Sequence, residues 1–131
     1  MNPVMVVRPE FRNDVPCGRG LWLWCPGCNE VHRPSIVGED GSMPEGPCWT
    51  WNGDLERPTI EASILVYGAV YTHDDGTICP DWHDDYETRN HTQGNCHSFV
   101  RDGQWEFLSD SAHALSGQTV PMVPLPDWLC R

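Results

Sequence analysis

Lysine is absent from all 131 residues, so every one of the eight basic side chains is arginine. Nineteen acids leave a net charge of −11. A surface this acidic repels a phosphate backbone, which argues against direct nucleic-acid binding. Long apolar runs are also missing. No stretch approaches the roughly 18 residues of a membrane span, and the first residues lack the basic flank and apolar core of a signal peptide. Hydrophobic residues make up only 39% of the chain, yet seven of them are Trp, so aromatic area must carry much of the burial. Twelve Pro and twelve Gly leave little room for long helices and favour a mainly β, loop-rich fold. Length and composition predict one domain over 1–131.

Seven Cys are present, an odd number. With no secretory signal, an odd count fits reduced, metal-ligating thiols better than a disulfide scaffold. The expected setting is a host cytoplasm or a virion. Cys25-Pro26-Gly27-Cys28 is the clearest chemical signal. Two thiolates on a C-x-x-C turn can reach one small cation, and zinc then needs two further ligands from elsewhere. Cys96 is the expected third ligand, with His32 or His97 as the fourth. The ion is expected to be Zn²⁺, because thiolate-rich donor sets select it over magnesium or calcium.

Along the chain, residues 1–19 contain Pro3, Pro9 and Pro16 and read as an extended leading segment. Residues 20–24 are aromatic and apolar and read as a strand leading into the knuckle, and 48–51 alternate as a strand should before the Asn52-Gly53 turn. Residues 59–72 form the best long strand, rich in β-branched and aromatic side chains. From 73 to 94 six acids face one Arg, which predicts a solvated acidic insertion. Trp22, Trp24, Trp49, Trp51 and Trp105 are expected in the core. Residues 96–108 predict a two-residue hairpin around Asp102-Gly103, pairing Arg101 with Gln104, Val100 with Trp105 and Ser98 with Phe107. Alternation puts Cys96, Ser98 and Val100 on the apolar face and His97 on the other. Residues 110–116 predict a short helix with Ser109 or Asp110 as its cap, and 118–131 an extended tail. On such a helix Asp110 and His113 share a face. A carboxylate orienting an imidazole is half of a nucleophile-activating triad, with Cys96 or Ser111 as the candidate nucleophile.

The run Trp24-Cys25-Pro26-Gly27-Cys28-x-x-x-His32, with Trp51-Asn52-Gly53-Asp54, Arg57-Pro58-Thr59 and Ser63-Ile64-Leu65, resembles a family of small phage and prophage proteins. Cys96-His97-Ser98-Phe99-Val100-x-Asp102-Gly103 and Asp110-Ser111-x-His113-x-Leu115-x-Gly117-Gln118-Thr119-Val120 resemble it too. Members sometimes carry the label ammonia monooxygenase, which nothing in these residues supports. The resemblance implies a phage origin and a metal-bound β fold, and transfers no activity.

Two functions follow as expectations. The first is a phage-encoded interaction protein with a purely structural zinc. Its acidic insertion would meet an unidentified basic protein partner, with Tyr71, Trp82 and Tyr86 as anchors. The alternative is a small metal- or Cys/His-dependent hydrolase using Cys96, His113 and Asp110.

Overall fold

Alternation in the second strand sets the architecture. Leu21, Leu23 and Cys25 are buried while Trp22 and Trp24 between them stay half-buried, so one face of this strand is core. The computed structural model describes residues 2–73, 78–79 and 91–130, and is mainly β. In the first sheet, β1 (Met5–Arg12) pairs antiparallel with β2 (Val15–Cys25), which also pairs with β3 (Glu30–His32) and β4 (Ser35–Ile36). Asn13 and Asp14, both at positive φ, close the β1–β2 hairpin with the backbone twist that two-residue hairpins favour.

The second sheet contains β5 (Thr50–Trp51), β6 (Ile60–His73), β7 (Ile78–Cys79), β8 (His91–Arg101), β9 (Gln104–Phe107) and β10 (Thr119–Pro121). Its order is β10-β9-β8-β6-β5, with β7 paired to β6. The hairpin at Asp102-Gly103 forms with the expected pairs, and both turn residues have positive φ. Met5, Leu21, Leu23 and Ile36 from the first sheet meet Ile60, Ile64, Val100, Trp105 and Phe107 from the second, so the core lies between the two sheets. Trp105 is fully buried and stacks on Phe107 with centroids 5.5 Å apart. Removing a side chain of this size from a core costs about 3–5 kcal/mol.

Several expectations are corrected. The leading segment is paired: residues 5–19 form one hairpin arm and the start of the next. Pro9 is tolerated because β1 is an edge strand and the pairing shifts between Pro9 and Phe11, and Pro16 because it lies at the start of β2, ahead of the residues that pair with β3 and β4. The short helix over 110–116 is a series of turns. Its amides are taken elsewhere: Ser111 N–H donates to Leu108 O and Ala112 N–H to Asn95 O on β8. Of the five strand tryptophans Trp105 is fully buried, Trp49 and Trp51 are partly buried and pack against the core, and Trp22 and Trp24 lie outside it. Trp22 instead lies beneath the guanidinium groups of Arg8 and Arg33, at 4.6 and 5.1 Å. Part of the tail joins the second sheet as β10. Of the acidic stretch 73–94 only strand backbone at 73, 78–79 and 91–94 is described; Trp82, Tyr86 and His83 lie outside the described residues, as do the side chains of Tyr71, His73 and His91. Among the described residues no helix is long and apolar enough to cross a membrane.

Candidate functional site

β8 carries two chemistries on its two faces. Its inward residue Cys96 joins Cys25 and Cys28, at the end of β2 and the turn after it, and His113 from the turn after β9. All four residues are buried, and their ligand atoms lie within 4.8 Å of one another. Cys25 Sγ is 3.9 Å from Cys96 Sγ, and Cys96 Sγ is 3.4 Å from His113 Nε2. A tetrahedron with metal–sulfur bonds of about 2.3 Å has sulfur–sulfur edges of roughly 3.7 Å and sulfur–nitrogen edges of roughly 3.6 Å. The cluster therefore matches the spacing of a four-ligand metal centre and can hold an ion.

Local chemistry supports that use. Burial opposes ionisation of Cys25, but hydrogen bonds from Cys28, Cys96, His113 and His32 outweigh it and hold the thiol well below its ordinary value. Its contact with Cys25 pushes the Cys28 thiol up, with Cys96 and burial adding to the shift; Cys96 is likewise raised, chiefly by Cys25. Three thiols this close cannot all ionise alone, and a dication is what would let them. Gly27 makes the approach of His113 possible, since a Cβ at position 27 would fall 2.1 Å from His113 Cε1. Phe107 braces the imidazole edge-on at 4.5 Å. One contact has to yield if Nε2 ligates: Leu115 N–H points at His113 Nδ1 over 3.2 Å, and a ligating ring carries its proton on that atom.

The fourth member of the cluster is thus His113, whereas His32 and His97 lie outside it. His32 is buried beside Cys25 with its ring edge-on to Trp105, and its Nε2 has no partner among the described residues. His97 points to the opposite face of β8, as alternation requires. Asp110 is not paired with His113 either. Its carboxylate meets His97 Nδ1, at 3.0 Å from Oδ2 and 3.2 Å from Oδ1. His97 is 23% exposed at its side chain and Asp110 65%, so this pair is open to solvent while the thiol cluster is not.

The His97–Asp110 geometry is fixed by a strap. The Ser111 hydroxyl accepts from His97 N–H at 3.0 Å and donates to His97 O at 2.7 Å, and Leu108 N–H donates to the same carbonyl. With Nδ1–H donating to a carboxylate, Nε2 is left as a base, which is the arrangement that activates a hydroxyl nucleophile. A groove of about 720 Å³ lined by Met5, Val7, Phe11, Trp51 and Leu55 lies elsewhere, and neither His97 nor Asp110 lines it.

A family model described as bacterial ubiquitination-like system serine protease (BubE) matches residues 4–108. The chain belongs to the BubE family. No curated protein and no solved structure matches it. The family description overturns the expectation of a phage-encoded interaction protein and the viral vocabulary attached to it: the BubE family is a bacterial one named for proteolysis. It fits the hydrolase alternative better. Cys96 and His113 of that alternative are enclosed in the metal-competent cluster, whereas His97 and Asp110 form a separate, solvent-facing pair. The Cys96-His97 dipeptide carried the only available signal, since alternation sends one of the two outward.

Proposed function

We propose that this BubE-family chain is a serine-dependent peptidase working within a bacterial ubiquitination-like system. In it His97 is the general base and Asp110 the carboxylate that orients it. The observation that carries this reading is the 3.0 Å contact from His97 Nδ1 to Asp110 on a solvent-facing strand surface, in a family named for serine proteolysis. Asp110 holds the tautomer, His97 Nε2 takes a proton from a serine hydroxyl, and the same atom returns it to the leaving group.

Cys25, Cys28, Cys96 and His113 are proposed to hold Zn²⁺. Three thiolates and an imidazole suit it, and four protein ligands leave no open position, so the ion would supply structure and not an activated water. The hydrolytic chemistry then belongs to His97, one residue and one face away.

Hydrolysis of p-nitrophenyl acetate, a generic activated ester, tests the reading. His97→Ala and Asp110→Ala should each lose roughly 10²–10⁴-fold in rate, with metal content unchanged. Full activity in His97→Ala would end the proposal.

A further inference from the structure

The structure assigns the nucleophile to Ser63, an inference that rests on the serine-peptidase reading above. The chain has seven serines, at 35, 42, 63, 98, 109, 111 and 116, and all are described. Ser98 is fully buried on the inner face of β8, beyond the reach of substrate. Ser111 uses its hydroxyl to clamp both backbone groups of His97. Ser116 donates to Ser109 O within the turn that follows Asp110. Ser35 belongs to β4, and the Ser42 hydroxyl accepts from Gly18 N–H; both belong to the first sheet and its loops. Ser109 adjoins Asp110 in sequence, on the turn between β9 and β10 rather than on a strand paired with β8 on the side of β6, and its carbonyl accepts from Ser116.

Ser63 is different in placement and in bonding. It lies on β6, the strand hydrogen-bonded to β8. Leu65 pairs directly with His97, so the two side chains share a face. Ile64 points into the core, which turns its neighbours Ser63 and Leu65 toward that shared outer face. Ser63 is therefore diagonal to His97, and diagonal neighbours across an antiparallel pair are roughly 7–8 Å apart at Cα, within reach of a long side chain. The pairing of β6 and β8 is irregular at this point: Ile60 opposes Val100 and Ile64 opposes Ser98, so 61–63 face a single residue, Phe99. Bulges next to active sites re-aim side chains. The backbone there is held by Trp49, whose indole N–H donates to Ser63 O at 3.0 Å. The Ser63 hydroxyl itself makes no hydrogen bond among the described residues, and the residue is half-buried. It is a fixed position with an uncommitted hydroxyl.

The reaction balances without any further reagent than water. Ser63 Oγ attacks the scissile carbonyl carbon as His97 Nε2 takes the hydroxyl proton. The amine leaves with that proton, giving an acyl ester on Ser63. Water, deprotonated by the same nitrogen, attacks the ester and releases the acid, and the proton returns to Ser63 Oγ.

The full chain is treated with an organofluorophosphonate and its peptides are mapped by mass spectrometry. The expected result is one phosphonylated peptide carrying Ser63, absent from Ser63→Ala and labelled at least about 100-fold more slowly in His97→Ala. Near-ultraviolet circular dichroism and metal content should match the parent in both variants. Ser63→Cys should restore a nucleophile at this position, read as a shift from fluorophosphonate to alkylating reagents. Phosphonylation at Ser109 with Ser63→Ala unaffected would overturn the assignment and leave the serine reading standing. No phosphonylation at any serine, with ester hydrolysis intact, would overturn both.

Discussion

Cys96 and His97 are adjacent in the chain and serve opposite faces of β8: the first closes a buried thiol cluster, the second bonds to Asp110 in solvent. The turn after β9 repeats the division, with His113 inside and Asp110 outside. Two of the three segments that build the metal-competent centre, β8 and the turn after β9, are thus the two that carry His97 and Asp110. Holding the inner pair together holds the outer pair in register.

Metal removal is therefore expected to act on stability and activity together. A site of this type contributes about 10–16 kcal/mol in small zinc domains, against a total stability of about 5–15 kcal/mol. Chelation under reducing conditions, or Cys25→Ser, should unfold the chain as followed by tryptophan fluorescence, with zinc released in step. Protein purified without chelators that contains no zinc would refute the assignment.

Gly27→Ala should mimic chelation without touching a ligand. The added methyl would fall within about 2.1–2.3 Å of three His113 ring atoms. Overpacking of this kind costs about 1–3 kcal/mol even where the surroundings relax. The expected outcome is weaker metal retention and a lower melting temperature, measured by chelator competition and thermal denaturation.

Asp110→Asn separates orientation from folding. An amide accepts from Nδ1–H less strongly and can itself donate, favouring the wrong tautomer of His97. Ester hydrolysis should fall roughly 10²–10⁴-fold in kcat with KM little changed, while zinc content and melting temperature stay within error of the parent.

Ser111→Ala should loosen the strap. It strips one partner from His97 N–H and one from His97 O, a loss of about 1–3 kcal/mol. Activity should drop further than stability alone requires, and the two losses are separable by assaying well below the melting temperature.

The Asp54 loop gives a pH signature. Asp54 accepts backbone N–H bonds from Arg57 and Glu56, and these hold its carboxyl below the usual carboxylate value. A depressed folded pKa means stability that is present above the unfolded value, about 3.9, and lost as pH falls through the folded one. Asp54→Asn should flatten the acid limb of the stability curve below about pH 4 and leave neutral pH nearly unchanged, as read from urea midpoints.

Local sequence carried the 96–108 hairpin, because an Asp-Gly turn fixes the register of what flanks it. The C-x-x-C knuckle and Cys96 were legible for a similar reason: turn chemistry and alternation are short-range. His113 as the fourth member was not. A helix at 110–116 puts Asp110 and His113 on one face, whereas Ser111 and Ala112 spend their amides on other partners and split the two residues between inside and outside. The β1–β2 hairpin was hidden by its prolines, which are kept from strands paired on both sides but not from an edge strand or a stretch paired on one side only. Ser63 was visible only as part of a motif, since its relation to His97 depends on which strands pair.

The surplus on β6 between Ile60 and Ile64 is even: three residues stand where β8 places one. An even surplus preserves phase, which is why both isoleucines still face the core. Length changes at 61–63 should consequently obey parity. Losing one residue would exchange the inward and outward sets beyond it, burying a hydroxyl and exposing an isoleucine. Losing two would restore an uninterrupted ladder with the inward and outward sets kept in phase. Engineered losses at this point should therefore be tolerated in twos and not singly, as read by thermal denaturation.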